Sequence, residues 1–183
     1  TLTIEPGVSV KFDGAYFLYV DGALLAQGTQ ANQITFTSNS SIPAVGDWNG
    51  IFFRTTSIDS QCLISNCEIQ YAVKGIDCEN AAPTIDSSSI SYNNYGISCV
   101  WAEGAPTITN SKITNNTTAG ISCHTSLSTT ITNNIISQNG IGIEWPNGIT
   151  QKNIIVNNNY GVYLNSGGGY DIGKLDYNII ANN

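Results

Sequence analysis

The chain has 183 residues, a net charge of -7, 10% charged residues and no Met. That charge excludes nucleic acid as a partner, since nothing here would neutralise a row of phosphates. An acidic polymer would likewise need a local basic patch to overcome the repulsive field. No apolar run is long enough to cross a membrane, and no window holds apolar residues at helical spacing. The wealth of Ile, Thr, Ser, Asn and Gly favours short strands closed by tight turns, in a single domain over residues 1–183.

Residues 1–53 read as hydrophobic entry coils. Short strands are predicted at Leu2-Thr-Ile, Val8-Ser-Val-Lys-Phe, Phe17-Leu-Tyr-Val, Ala23-Leu-Leu-Ala, Ile34-Thr-Phe-Thr and Ile51-Phe-Phe. Pro6-Gly7, Asp13-Gly14, Asp21-Gly22 and Gly28-Thr29 punctuate them as turns. Ser38 to Asp47 is a longer loop, and Trp48-Asn-Gly-Ile returns the chain to the wall.

Residues 54–183 are Asn-rich repeat coils. The best copy runs from Ala105 to Cys123; it aligns with Ala82 to Cys99 and with Thr129 to Trp145. Weaker copies span Cys62 to Cys78, Ile149 to Leu164, and Leu175 onward. Gly followed by Ile or Val recurs at Gly50, Gly75, Gly96, Gly120, Gly142 and Gly161, a period of 19 to 25 residues that calls for a solenoid. Ile108 and Ile113 both belong inside, yet an odd separation on a straight strand would put them on opposite faces, so a bend lies between them. Asn110 and Ser111 occupy it, and Asn tolerates the left-handed conformation it needs. The same slot is read at Asn66, Asn133-Asn134, Asn153 and Asn178. A second column, Asn93, Asn116, Asn139, Asn158 and Asn183, is expected to stack its amides from coil to coil. The predicted fold is all-β, a right-handed parallel β-helix with three short strands per coil.

Five Cys are present. Cys78, Cys99 and Cys123 fall in one column with Phe53, Trp145 and Leu164. Equivalent residues on parallel strands lie about 4.8 Å apart, wider than the Cβ separation of about 3.8 Å in a disulfide, so buried free thiols are expected. Cys62 and Cys67 leave a local disulfide open. No Cys-x-x-Cys or His/Cys spacing suggests zinc, and no cofactor or metal is expected. A chain beginning at Thr1 reads as a mature or excised segment.

These repeats resemble those of the pectate-lyase-like superfold, especially its NosD-like and secreted surface-protein versions. The opening is similar to the entry coils of secreted surface proteins in Leu2-Thr-Ile-Glu-Pro-Gly-Val, Ala26-Gln-Gly-Thr, Ile34-Thr-Phe-Thr-Ser and Trp48-Asn-Gly-Ile. The resemblance implies an extracellular or cell-surface location. It does not select an activity, because the superfold hosts lyases, hydrolases, epimerases, adhesins and inert stalks.

Chemistry is sought in the outward columns. One holds Phe52, Asp77, Ser98, Ser122, Glu144 and Tyr163; the next holds Arg54, Glu79, Val100, His124, Pro146 and Asn165. Asp77 and Glu79 project from one strand about 6.5–7 Å apart, which overlaps the carboxylate separation of about 6.5–9.5 Å in inverting glycosidases. Asp77, Glu79 and the single His, His124, are therefore the catalytic candidates. Arg54, expected one coil from Glu79, joins Lys74, Tyr95 and Trp101 as binding candidates. Against catalysis, an Arg–Glu cross-strand pair is ordinary surface electrostatics. The resemblance also lapses here: polygalacturonase-like enzymes carry closely spaced Asp pairs and pectate lyases a calcium-binding Asp cluster, and this chain has neither.

Tyr71, Tyr92, Tyr95, Trp101, Tyr160 and Tyr163 near coil edges offer flat rings to a sugar. Asn39, Asn115 and Asn116 head glycosylation sequons. Ice binding would need a flat regular Thr array, whereas the Thr here read as scattered among the columns. Bare solenoid ends expose strand edges, so end-to-end stacking into filaments or contact with neighbouring domains is expected. The functional expectation is a secreted, non-catalytic β-helical module of a cell-surface or extracellular structural protein. The alternative is a polysaccharide-processing enzyme or a carbohydrate-binding module using an outward sheet face.

Overall fold

The computed structural model describes residues 1–100, 104–123, 128–164 and 173–183. Three parallel sheets of eight, eight and seven strands run along a common axis, each strand hydrogen-bonded to its equivalent one coil away. A typical coil contributes Thr107–Thr109 to the first sheet, Lys112–Thr114 to the second and Ala119–Ser122 to the third.

The core follows from the Ile register. In the first sheet Ile64, Ile85, Ile108 and Ile131 pair in order; in the second, Ile69, Ile90, Ile113, Ile136 and Ile155; in the third, Ile51, Ile76, Ile97, Ile121 and Ile143. All are fully buried. Each contributes about 1.5–3 kcal/mol by leaving water. Trp48 fills the wider entry end, stacked on Phe12 at 4.0 Å, with its indole N–H donating to the Gln70 carbonyl at 2.7 Å. The entry coil breaks the expected period: Ala26 pairs with Ile64, so that coil takes 38 residues. The excess is the loop before Trp48 and a connection containing a 3₁₀ turn at Asp59–Gln61.

The bends hold two adjacent columns where the sequence suggested one slot. Asn66, Ser87, Asn110, Asn133, Lys152 and Tyr177 take the left-handed conformation. The next residue of each coil forms the ladder. The Cys67 N–H donates to Ser88 Oγ, Ser88 N–H to Ser111 Oγ, Ser111 N–H to Asn134 Oδ1, Asn134 N–H to Asn153 Oδ1 and Asn153 N–H to Asn178 Oδ1. Asn153 and Asn178 therefore belong to the ladder, and the bend conformation falls to Lys152 and Tyr177.

The second bend repeats the device with Asn alone. The N–H groups of Ala72, Asn93, Asn116, Asn139 and Asn158 each donate to the Oδ1 of the next Asn, over 2.8–3.1 Å. The amide nitrogens also bond along the stack, as expected. This ladder explains the recurring glycine. A Cβ on Gly96 would lie 3.0 Å from Asn116 Nδ2 and 2.5 Å from the Gly120 carbonyl oxygen. Asn116 is 1% exposed, so its sequon is unavailable to a glycosylating enzyme, while Asn39 lies exposed.

All five Cys are free and buried, including Cys62 and Cys67, which closes the question of a local disulfide. Cys78 and Cys99 pair in register as expected. Burial pushes the Cys67 thiol up to about 12. A hydrogen bond to Cys99, together with burial, raises Cys123. The Thr residues are less scattered than the sequence suggested. Thr84, Thr107 and Thr130 stack in one outward column, and Thr109 pairs with Thr132 in the next. The array is bounded by Leu63 and Ile149, and Thr109 donates its hydroxyl to Asp86 at 2.7 Å.

Candidate functional site

The expected site lies on the outer face of the third sheet. On Lys74–Glu79, Ile76 and Cys78 point inward, so Asp77 and Glu79 face out. Register sets Phe52, Asp77, Ser98, Ser122, Glu144 and Tyr163 side by side in that order, as the sequence predicts. Lys74, Tyr95, Ala119, Ile141 and Tyr160 form the neighbouring column.

The two carboxylates of the expected pair stand in different surroundings. Asp77 is 8% exposed, and its Oδ2 accepts from Lys74 Nζ at 2.9 Å, whereas Glu79 is exposed. The pair lies within one strand, three residues apart, and reads as a structural ion pair. Further along, Ser122 Oγ donates to Glu144 Oε2 at 2.8 Å. Ser98 and Ser122 are buried despite their outward column.

Arg54 departs from the expected partner. Its place one coil from Glu79 follows from the Phe53–Cys78 register, but its guanidinium turns to the other side. It lies 3.4 Å from Asp21 Oδ2 and 3.9 Å above the Tyr19 ring. Asp21 offers a carboxylate and Tyr19 a π face, a combined attraction that a lone exposed Glu79 does not match. Phe17, Tyr19 and Phe52 complete an aromatic cluster there, with centroids 5.0–5.8 Å apart. His124 and Trp101 lie outside the described residues. The structure thus brings Lys74 to Asp77, sets Tyr95 beside Lys74, and separates Arg54 from Glu79.

The aromatic signal also leads to a second place, the corner between the second and third sheets. Tyr71 and Tyr92 stack there at 5.9 Å with planes 16° apart. Both occupy the left-handed position of the bend, followed in later coils by Asn115, Gln138 and Asn157. A shallow, open depression of about 450 Å³ lies beside Tyr92. The sequence held the clue: each of these residues stands two after an inward Ile, at Ile69, Ile90, Ile113, Ile136 and Ile155. Among the described residues no group of three or more His, Cys, Asp or Glu is arranged to hold a metal.

Searches of curated proteins and of solved structures return no significant match. The family model for the right-handed beta helix region matches residues 21–183. With the three in-register sheets and their side-chain ladders, that match places the chain in the right-handed β-helix family.

Proposed function

We propose that the chain is a stiff, non-catalytic β-helical module of an extracellular or cell-surface structural protein. The observation that carries this reading is the pair of bend ladders, in which each coil is tied to the next by buried, fully partnered side chains. Such ladders rigidify a stack whose repeats otherwise contact only their neighbours. Several polar groups on this face are engaged in structure: Asp77 by Lys74, Glu144 by Ser122, and Arg54 by Asp21 and Tyr19, which leaves the exposed Glu79 without the partner carboxylate expected for it. The extracellular part of the reading is supported by the opening coils, which resemble those of secreted surface proteins.

End-to-end association belongs to the same proposal. The last coil exposes Leu175, Ile179 and Ile180, and the first exposes Leu2 and Val8. Light scattering across a concentration series tests self-association: mass that rises without a plateau supports it, and a constant monomer mass removes it. Protease shaving of intact source cells tests location, with peptides of this chain expected in the released fraction; recovery only from lysed cells would overturn the surface assignment. Turnover of a glycan panel by the wild type, abolished by Asp77→Asn, would overturn the non-catalytic reading.

A further inference from the structure

We propose that the corner groove between the second and third sheets binds a neutral oligosaccharide lying along the solenoid axis. The inference does not depend on the scaffold reading, since a stiff module and a catalyst could each carry such a groove.

The groove is built by the bend. The residue in the left-handed position projects outward in every coil, so successive coils set these side chains in one row. Asn is the residue that conformation favours, and Asn115 and Asn157 follow that preference. Tyr71, Tyr92 and Gln138 do not, so the turn itself does not account for their side chains. Tyr92 stacks on Tyr71 and is 45% exposed, which leaves one ring face for a ligand at the end of the groove.

Val45 closes that end from the long loop. The loop is fixed: Gly46 N–H donates to the Tyr71 carbonyl at 3.1 Å, and Asp47 Oδ2 accepts from Ser38 Oγ at 2.6 Å and from Ala44 N–H at 3.0 Å. From Tyr92 the groove runs past Gln138 to Asn157, with Thr117 and Asn159 also lining it. Tyr92 to Asn157 is three coil steps, roughly 14 Å, the reach of an oligosaccharide and more than a single sugar fills. Gly140 supplies a lining position without a side chain.

The lining chemistry selects the ligand class. No lining residue carries a charge. Among the described residues, the side-chain amides of Asn115, Gln138, Asn157 and Asn159 form no hydrogen bond within the chain, so their donors and acceptors remain available to vicinal hydroxyls. An aromatic face with a row of amides suits the apolar face and hydroxyl rim of a sugar ring. An acidic glycan would meet no cation there and a repulsive net charge.

The test is calorimetric titration of the full chain with cellohexaose, mannohexaose and xylohexaose, with oligogalacturonate as the acidic probe. Tyr92→Asn removes the ring while keeping a residue suited to the left-handed turn, so the fold is retained. Gln138→Ala removes one amide, and Tyr19→Ala probes the aromatic cluster on the third sheet. The expected result is binding of at least one neutral hexasaccharide, weakened tenfold or more by Tyr92→Asn and by Gln138→Ala and unchanged by Tyr19→Ala. Three results would overturn the proposal: no neutral binding up to about 10 mM, binding insensitive to Tyr92→Asn, or preference for oligogalacturonate.

Discussion

Replacing Asn116 by Ala tests the ladder directly. Asn116 is 1% exposed. Its Oδ1 accepts from the Asn93 N–H at 3.1 Å, and its Nδ2 donates to the Ile90 carbonyl at 3.2 Å. The substitution orphans the Asn93 N–H inside the wall. The Ile90 carbonyl keeps its place in the parallel ladder to Lys112–Thr114, Asn93 Nδ2 keeps the Ile69 and Ser91 carbonyls, and Asn139 Oδ1 keeps the Asn116 N–H, so the loss centres on one group. A buried unsatisfied group costs about 1–3 kcal/mol, which sets the expected loss.

The assay is urea unfolding paired with amide hydrogen exchange, because a solenoid opens locally and one global midpoint can hide a weak coil. The Asn93 amide should lose protection while amides several coils away keep theirs. Asn116→Asp supplies a pH control. Only its protonated form donates to the Ile90 carbonyl, so its folded pKa lies above the unfolded value of about 3.9. Its stability is therefore full below that pH and falls as pH rises. A loss below about 1 kcal/mol for Asn116→Ala, with the Asn93 amide still protected, would refute the ladder argument.

Three further outcomes follow from the same geometry. Thr150 stands in the first-sheet Ile column, 1% exposed, and its hydroxyl has no partner among the described residues, so Thr150→Val should stabilise by about 1–3 kcal/mol in urea unfolding. Gly96→Ala puts a methyl 2.5 Å from the Gly120 carbonyl oxygen and should lower the midpoint by several °C or prevent folding, whereas Ala at Gly22, with nothing within 4 Å, should leave it near wild type. The native thiols should resist a disulfide reagent at neutral pH and react once unfolded. Cys67, ordinarily near 9.0 and raised to about 12, contributes stability that is full below pH 9 and lost towards 12; Cys67→Ser, which matches Ser88 in the ladder, should remove that alkaline term.

The fold was legible because its determinants repeat. Inward Ile residues recur in register, and the Asn93 column could be aligned by eye. What the sequence concealed were relations between columns. The recurring Gly marked each coil, but its cause, the Asn amide stacked against it, lies 16 to 22 residues away. The bend slot blurred because Lys152 and Tyr177 take a conformation that Asn usually fills, pushing Asn153 and Asn178 one place on. The Thr register is short, three residues at a constant spacing of 23, and Leu63 and Ile149 interrupt its column on either side, so it does not stand out among the other Thr.

The candidate site was less legible for a different reason. An outward side chain on a solenoid is placed by register but aimed by whatever partner lies within reach. Register set Arg54 beside Glu79, yet Asp21 and Tyr19 one coil earlier captured it, and Lys74 reached Asp77 from within the same strand. Outward positions carry little folding information, so departures from the residue a bend prefers are the better guide to function. Both corners show such departures, and they are not equivalent. Tyr177, 83% exposed, follows Lys152 and lies two coils from Asn133. Tyr71 and Tyr92 are consecutive, stacked, flanked by a fixed loop and continued by uncharged amides. The second corner combines a ring face, a surface depression and partner-free donors, which is why we propose recognition there and read the sheet face as structure.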